Sequence, residues 1–101
     1  MSVIEINEII VEWDEQKNRN NKKKHGISFE AAAYVFQDDN RIELYDEVHS
    51  VEENRYMIIG KARRLMFVVY TMRDERYRII TARKANSKEM RLYYGNHKSY
   101  N

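Results

Sequence analysis

The chain contains no cysteine and no proline, and it has only three glycines. Without cysteine, neither a disulfide framework nor a thiolate zinc site can form, and a reducing compartment is the simplest setting for such a chain. The glycines, Gly26, Gly60 and Gly95, stand far apart, so the sequence has no glycine-rich loop of the kind that cradles nucleotide phosphates. We therefore expect no ATP-dependent or NAD-dependent chemistry.

Long apolar runs and clusters of metal ligands are also missing. The longest apolar run is far shorter than the roughly 20 residues that a membrane-spanning helix requires. The acidic start, MSVIEINEII, differs from the lysine-bearing start of a secretory leader. The three histidines are scattered and lack the i, i+4 spacing of a helical metal site. These absences predict a cytoplasmic protein that uses neither a cofactor nor a metal.

The residues that are present indicate one folded domain with a densely charged surface. The chain has 101 residues, of which 43% are hydrophobic and 34% are charged. The formal net charge is only +2, but the charges are unevenly distributed. Residues 37–53 are rich in aspartate and glutamate, whereas residues 14–24 and 73–91 are rich in lysine and arginine. This polarity favours a nucleic acid or an oppositely charged protein as the partner.

Three strand-like segments, 55–59, 65–72 and 76–83, follow one another through short polar turns. The central segment, LMFVVYTM, contains no charge, as expected of a strand that is covered on both faces. In the other two segments, arginines alternate with or flank tyrosine and isoleucine, so one face of the sheet can be both aromatic and cationic. The pattern predicts an antiparallel meander that leads into a C-terminal helix.

Two helices are predicted before the meander. Asp14 is a suitable N-cap and Gly26 a suitable C-terminal stop for a helix over 15–24. This helix has no apolar face, so its packing would require the lysine stems and Asn21 to lie against the sheet. Ser28 is a suitable N-cap for a second helix, whose apolar stripe predicts packing on the core: Phe29, Ala32, Ala33 and Phe36.

The remaining segments complete the fold prediction. Asn86 and Glu89 have the spacing of a capping box at the start of the last helix, and residues 11–13 and 41–45 predict short strands. We leave residues 1–10 unassigned as an N-terminal extension of unknown role, place a single domain over 11–95, and expect a flexible tail over 96–101. The predicted class is α+β, with two N-terminal helices packed on a mainly antiparallel four- to five-stranded sheet and a C-terminal helix.

Three stretches of the chain resemble the BrnT family of type II toxins. These are WDEQKNRNNKKKHGISFEAAAYVF, HSVEENRYMIIG and IITARKANSKEMRLYY, which occur in the family's order and at family-like separations over most of residues 12–94. Asp39 stands where family members often have proline, and Thr81 stands where the I-S-A-R motif has serine. The resemblance implies a RelE-like fold, a ribonuclease that arrests translation, and neutralisation by a ribbon-helix-helix antitoxin of the BrnA type. It also implies that operator DNA is contacted only through the antitoxin.

RNA cleavage without a metal needs a base for the 2′-hydroxyl, cations for the phosphorane and an acid for the leaving 5′-oxygen. His49 and Glu53 are our candidates for proton transfer because both fall in the matched H-S-x-x-E-x-R motif. Arg55, Arg78 and Arg83 are our candidates for binding the scissile phosphate. Two alternatives stay open: Glu53 and Arg55 can form an ion pair that ties the acidic loop to the sheet edge, and Arg83 can cap a neighbouring carbonyl.

Candidate RNA-binding residues lie on the first helix and among the tyrosines. Lys17 and Lys24 share a polar, basic helix face, which predicts an RNA-backbone groove or, alternatively, a solvated face. His25 follows at the helix end, where it can instead hydrogen-bond the last carbonyls. Tyr70 and Tyr93 are candidates for stacking on bases, with packing in the core or at its rim as the alternative.

A second function class is consistent with the same sequence. The chain can be a non-catalytic interaction module that binds an antitoxin and modulates its repression of operator DNA. Such a module predicts tight complex formation without RNA turnover. Direct binding of DNA by the basic helix is a weaker third alternative, because no helix-turn-helix spacing is present.

Overall fold

The computed structural model describes the backbone of residues 1–98 and the side chains of residues 1–95. The elements, in chain order, are β1 (Ser2–Ile6), β2 (Ile9–Trp13), α1 (Glu15–His25), α2 (Phe29–Ala32), a 3₁₀ turn (Ala33–Gln37), β3 (Ile42–Tyr45), β4 (Tyr56–Ala62), β5 (Arg64–Arg73), β6 (Arg76–Lys84) and α3 (Ser87–Lys98). The expected tail over 96–101 overlaps the end of α3, and its residues 99–101 lie outside the described part of the chain. No helix in that described part has the length and apolar character needed to traverse a bilayer.

The strands form one six-stranded mixed sheet in the order β1-β2-β6-β5-β4-β3. The predicted meander is confirmed, since β4, β5 and β6 pair in antiparallel fashion, while β2 and β6 form the one parallel pair of the described sheet. The predicted count of four to five strands is wrong because residues 2–13 form a hairpin at one edge. Its turn is made by Asn7 and Glu8, both at positive φ, and contains no glycine that would have signalled it.

The first helix is held to the sheet by a polar side chain. Asp14 caps α1 and Gly26 ends it at φ 70°, as predicted. The buried Asn21 donates to the carbonyls of Ile27 (2.9 Å) and Ala82 (2.8 Å), and its Oδ1 accepts from the Ala82 N–H (3.1 Å). Asn21 therefore docks α1 on β6 in place of the apolar face that the helix lacks.

The second helix is shorter than predicted. Its N-cap, Ser28, accepts a hydrogen bond from the backbone of Ala31 at 3.1 Å, but the α-helix gives way to a 3₁₀ turn at Ala33. The predicted apolar stripe is nevertheless buried, and the turn packs closely on β4: a Cβ placed on Gly60 would lie 2.9 Å from the Cβ of Val35. The core on this face of the sheet continues through Phe29, Ile58, Val68 and Ile79.

The opposite face of the sheet is only partly covered. The start of α3 has the predicted capping box, with reciprocal contacts of 2.9 and 2.8 Å between Asn86 and Glu89. A smaller core lies beneath α3 and comprises Ile59, Leu65, Ala85 and Tyr93. Away from α3, Val69 of β5 is only half-buried. The expectation that β5 is covered on both faces is therefore wrong, and this uncovered part of the sheet carries the candidate site.

Candidate functional site

A cavity of about 240 Å³ opens on the uncovered face where β4, β5 and β6 meet. Phe67, Val69 and Thr81 form its floor, and His49 and Arg55 lie at its side. A second cavity, of about 220 Å³, is lined by residues of the 49–55 segment, including the same His49 and Arg55. We refer to these two adjoining cavities as the cleft. The structure thus brings two sequence-predicted site residues, His49 and Arg55, to one place.

The segment that carries His49 is closed by a short network at its neck. The backbone N–H of Asp46 donates to the carbonyl of Arg55 at 2.9 Å. The hydroxyl of Ser50 donates to the carbonyl of Asp46 and accepts from the N–H of Arg55 at 2.9 Å. Because both ends of the segment are tied together, His49 and Arg55 are held side by side at the rim of the sheet.

Asp46 contacts His49 through both carboxylate oxygens. Its Oδ2 lies 2.8 Å from Nδ1 of the ring, and its Oδ1 accepts from the backbone N–H of His49 at 3.2 Å. The His49 side chain is 66% exposed, whereas that of Asp46 is 13% exposed. Partial burial opposes ionisation of Asp46, but the hydrogen bonds from His49 outweigh it and hold the pKa of Asp46 below its ordinary value. Sequence reasoning missed Asp46, although an aspartate three residues before His49 was a signal for it.

Arg55 differs from the other predicted arginines because its guanidinium makes no ion pair with the described residues. Arg78 is bound to the buried Glu12 of β2, with Nε and Nη2 at 2.7 and 2.6 Å from Oε2. Arg76 also approaches Glu12, at 3.5 Å. Glu12, which the sequence analysis did not single out, therefore neutralises Arg78 at the β2 side of the face.

Arg83 is engaged by three neighbours. Its two terminal nitrogens form a bidentate pair with Glu89 at 2.9 and 2.8 Å. Its Nη1 also donates to the carbonyl of Lys84 at 3.1 Å, and its guanidinium lies 4.2 Å from the centre of the Phe67 ring. The alternative in which Arg83 caps a carbonyl is thus observed, together with an ion pair that fixes the start of α3.

The alternative in which Glu53 and Arg55 form an ion pair is wrong. The strand predicted over 55–59 begins only at Tyr56, and Glu53 lies in the preceding bend. Glu53 forms its ion pair with Arg73 of β5 at 3.1 Å, so it ties the loop to a different strand and leaves Arg55 unpaired. Glu53 still lines the cleft beside His49.

The basic face of α1 adjoins the cleft. A neighbouring cavity of about 220 Å³ is lined by Lys17, Lys24 and His25 on the helix and by Ile80 and Thr81 on β6. Ile80 and Thr81 also line the cleft, so the two surfaces meet at these residues. Both can face the same side because β6 has a bulge there: Ile79 pairs with Tyr70 and Thr81 with Val69, which leaves Ile80 without a pairing partner.

Tyr70 and Tyr93 are core residues, each only 4% exposed, which contradicts the prediction that they stack on bases. Tyr70 packs edge-on against Phe36 and donates its hydroxyl to Glu43 at 3.1 Å. The hydroxyl of Tyr93 donates to Asp38 at 2.7 Å. Burial, with the neighbouring carboxylate, raises the pKa of each phenol above its ordinary value. The alternative of core packing is therefore the correct one for both.

The cleft offers an imidazole that can move a proton and a guanidinium that can face an anion. The ionised Asp46 can only accept hydrogen bonds, so Nδ1 of His49 donates to it and Nε2 remains without a described protein partner. Within the described part of the chain, no group of three or more histidine, aspartate or glutamate side chains is placed to hold a metal ion. This arrangement suits acid–base chemistry at a phosphodiester.

Comparison with known proteins identifies the family of the chain. A family model described as the ribonuclease toxin BrnT of type II toxin–antitoxin systems matches residues 13–89. No curated protein matches the chain. Among solved structures, the crystal structure of the Brucella abortus ribonuclease toxin BrnT matches with a TM-score of 0.60 at 21% identity, over 76% of this chain and 96% of that one, which shows a shared fold. Because the family model spans most of its length, the chain belongs to the BrnT family of type II ribonuclease toxins.

Proposed function

We propose that this chain is a metal-independent endoribonuclease toxin that cleaves RNA in the cleft and thereby inhibits translation. The observation that carries the proposal is the placement of His49, bound to Asp46 at 2.8 Å, beside the ion-pair-free Arg55. A base and an unneutralised cation at one open site are the two groups that attack by a 2′-hydroxyl requires. Family membership supports the same reaction class.

In this mechanism, Nε2 of His49 takes the proton of the 2′-hydroxyl, and Arg55 faces the scissile phosphate. The 2′-oxygen then displaces the 5′-oxygen, which takes a proton from water or from Glu53 as it leaves, and a 2′,3′-cyclic phosphate remains. Glu53 is the second proton-transfer candidate because it lines the cleft together with His49 and Arg55. Proton transfer by a positioned side chain contributes about 10²–10⁴-fold to such a rate.

Arg78 and Arg83 have supporting roles in this proposal. Each guanidinium already faces a carboxylate, Glu12 for Arg78 and Glu89 for Arg83. Binding a phosphate would require giving up part of these pairs, whereas Arg55 has none to give up. Arg83 instead packs over Phe67, which forms the floor of the cleft, so its removal would disturb the shape of the site.

The basic face of α1 is the proposed path for the RNA backbone. This surface is lined by Lys17, Lys24 and His25, and it meets the cleft at Ile80 and Thr81. An RNA strand whose phosphates follow the helix would therefore reach His49 and Arg55. Lysine contacts to phosphates release counterions and make binding depend on salt. We therefore expect RNA affinity to fall as the salt concentration rises.

The proposed regulator is a ribbon-helix-helix antitoxin, and operator DNA would be contacted only through that partner in the cytoplasm. The family resemblance carries this part of the proposal, as it does the RelE-like arrangement of the fold. Two apolar side chains beside His49, Val48 and Val51, are 78% and 84% exposed, which favours a protein that covers the cleft. The same observation favours the second candidate function, a non-catalytic module that binds the antitoxin.

The two functions are separated by incubating purified, partner-free chain with a defined RNA in the presence of a metal chelator. The ribonuclease proposal predicts fragments that end in 2′,3′-cyclic phosphate and a rate that the chelator does not change. Cleavage that stops with the chelator would contradict metal independence. Intact RNA in every condition, including with ribosomes present, would favour the interaction module.

A further inference from the structure

We propose that Asp46 is a positioning residue for His49, which fixes the tautomer and orientation of the imidazole so that Nε2 is the atom presented to RNA. This inference rests on the proposed ribonuclease site and adds a residue to it. Asp46 itself lines the cleft, but both of its carboxylate oxygens contact His49, so it would act through His49 rather than touch the substrate.

The first support is that both oxygens of the Asp46 carboxylate contact His49. Oδ1 accepts from the His49 backbone N–H at 3.2 Å while Oδ2 lies 2.8 Å from Nδ1. Two contacts from one carboxylate restrict both the backbone position and the ring of His49. This matters because the imidazole is largely exposed and, without the second contact, would be free to rotate.

The second support is that Asp46 is itself fixed. Its N–H donates to the carbonyl of Arg55 at 2.9 Å, and its carbonyl accepts from the Ser50 hydroxyl. The Asp46 side chain is mostly buried, whereas that of His49 is mostly exposed. A rigid carboxylate behind an exposed imidazole is the arrangement that lets one residue orient another.

The third support is the chemistry of the contact. An ionised carboxylate has no proton to donate, so the contact selects the tautomer in which Nδ1 carries the hydrogen. The neutral ring then has its lone pair on Nε2, which has no described protein partner. The hydrogen bonds from His49 lower the pKa of Asp46 and so favour the ionised carboxylate.

The test uses Asp46→Asn, which keeps the shape of the side chain and can still accept from the His49 backbone. Its amide would donate to Nδ1 and so favour the tautomer with hydrogen on Nε2. We expect ¹⁵N NMR of the His49 ring to show that the hydrogen has moved from Nδ1 to Nε2. The single-turnover cleavage rate should fall about 10- to 100-fold, with little change in KM. An unchanged tautomer and an unchanged rate would overturn the inference.

Two further variants separate a positioning role from a structural one. Ser50→Ala removes a contact to the Asp46 backbone but keeps the carboxylate, which still has no proton to donate to Nδ1, so the His49 tautomer should stay as in the unmodified protein. If Ser50→Ala exchanged the tautomer as Asp46→Asn does, the effect would belong to the loop and the inference would be wrong. Thermal unfolding of each variant identifies any loss of the fold itself.

His49→Ala distinguishes failure of this inference from failure of the proposed function. The inference predicts that adding Asp46→Asn to His49→Ala slows cleavage no further, because Asp46 acts through the ring. If His49→Ala cleaves RNA at the unmodified rate, the proposed role of His49 fails and that of Asp46 fails with it. If His49→Ala is slow while Asp46→Asn is fully active, the positioning role alone fails.

Discussion

Replacing Asn21 with alanine should destabilise the protein far more than is usual for a polar residue on a helix. The Asn21 side chain makes three hydrogen bonds of 2.8–3.1 Å with backbone groups of Ile27 and Ala82. Alanine leaves those groups without their partner in a buried place, because Asn21 and Ala82 are both buried. The helix would lose its principal polar anchor to β6 and has no apolar face to replace it.

The size of the effect follows from the number of bonds. A hydrogen bond contributes about 0.5–1.5 kcal/mol net to stability, so three of them give a loss of about 3 kcal/mol. A domain of this kind is stable by about 5–15 kcal/mol in total, which makes the loss easy to resolve. It would be measured by urea unfolding as a lower midpoint with an unchanged slope.

Asn20→Ala is the matched control on the same helix. The Asn20 side chain is exposed and accepts a single hydrogen bond, from Gln16 at 3.1 Å. Its replacement should change the free energy of unfolding by no more than about 0.5 kcal/mol. If Asn21→Ala cost less than about 1 kcal/mol, or no more than Asn20→Ala, the reasoning that Asn21 anchors the helix would be refuted.

Three other outcomes are expected. Arg78→Met should lower the free energy of unfolding by about 3 kcal/mol in thermal unfolding, because it leaves the buried Glu12 without its nearest cation. A loss below about 1 kcal/mol, the size expected of a surface pair, would contradict this. Burial opposes ionisation of Glu89, but the hydrogen bonds from Arg83 prevail and lower the pKa of Glu89. The stability that Glu89 contributes is therefore present above its pKa in the unfolded chain and is lost as the pH falls through its lower pKa in the folded protein. Glu89→Gln should therefore flatten the acid side of the stability curve, and a parallel curve would refute this. Lys24→Ala should reduce the salt dependence of RNA binding by about one counterion, and an unchanged slope would place Lys24 off the RNA path.

Local signals in the sequence were enough to predict several parts of the fold. The caps at Asp14 and Ser28 and the box formed by Asn86 and Glu89 depend on residues within a few positions of each other. The meander was predictable for the same reason, since its strands are joined by short turns. In each case the contacts that form the structure lie within the window in which the pattern is visible.

The parts that were missed depend on contacts between distant segments. Glu12 and Arg78 are 66 positions apart. Packing of the first helix was expected to require Asn21 to lie against the sheet, but its partner Ala82, 61 positions away, was not predicted. No local pattern indicates that a glutamate in a short strand will neutralise an arginine predicted to bind phosphate. The bulge that leaves Ile80 unpaired follows from the register between β5 and β6, which the sequence of one strand does not specify.

The candidate site was predictable in composition but not in arrangement. His49 and Glu53 were identified from the H-S-x-x-E-x-R motif and Arg55 as a candidate for binding phosphate, and the structure places all three in the cleft. The sequence did not show which arginines are paired and that Arg55 is unpaired, because this depends on where the acidic partners lie in the fold. The partner of His49 was also missed, because Asp46 acts through a turn whose geometry the motif does not contain.

The central claim is that the cleft beside Arg55 is where RNA is cleaved. The most direct test compares single-turnover cleavage of a defined RNA by the unmodified chain, by Arg55→Ala and by Arg91→Ala, each with its thermal stability measured. Arg91 is exposed on α3 and lies outside the cleft, so its variant controls for the loss of one positive charge. The account predicts that Arg55→Ala loses at least about 100-fold in rate while it stays folded, and that Arg91→Ala retains its activity. Equal activity of the two variants would contradict the account.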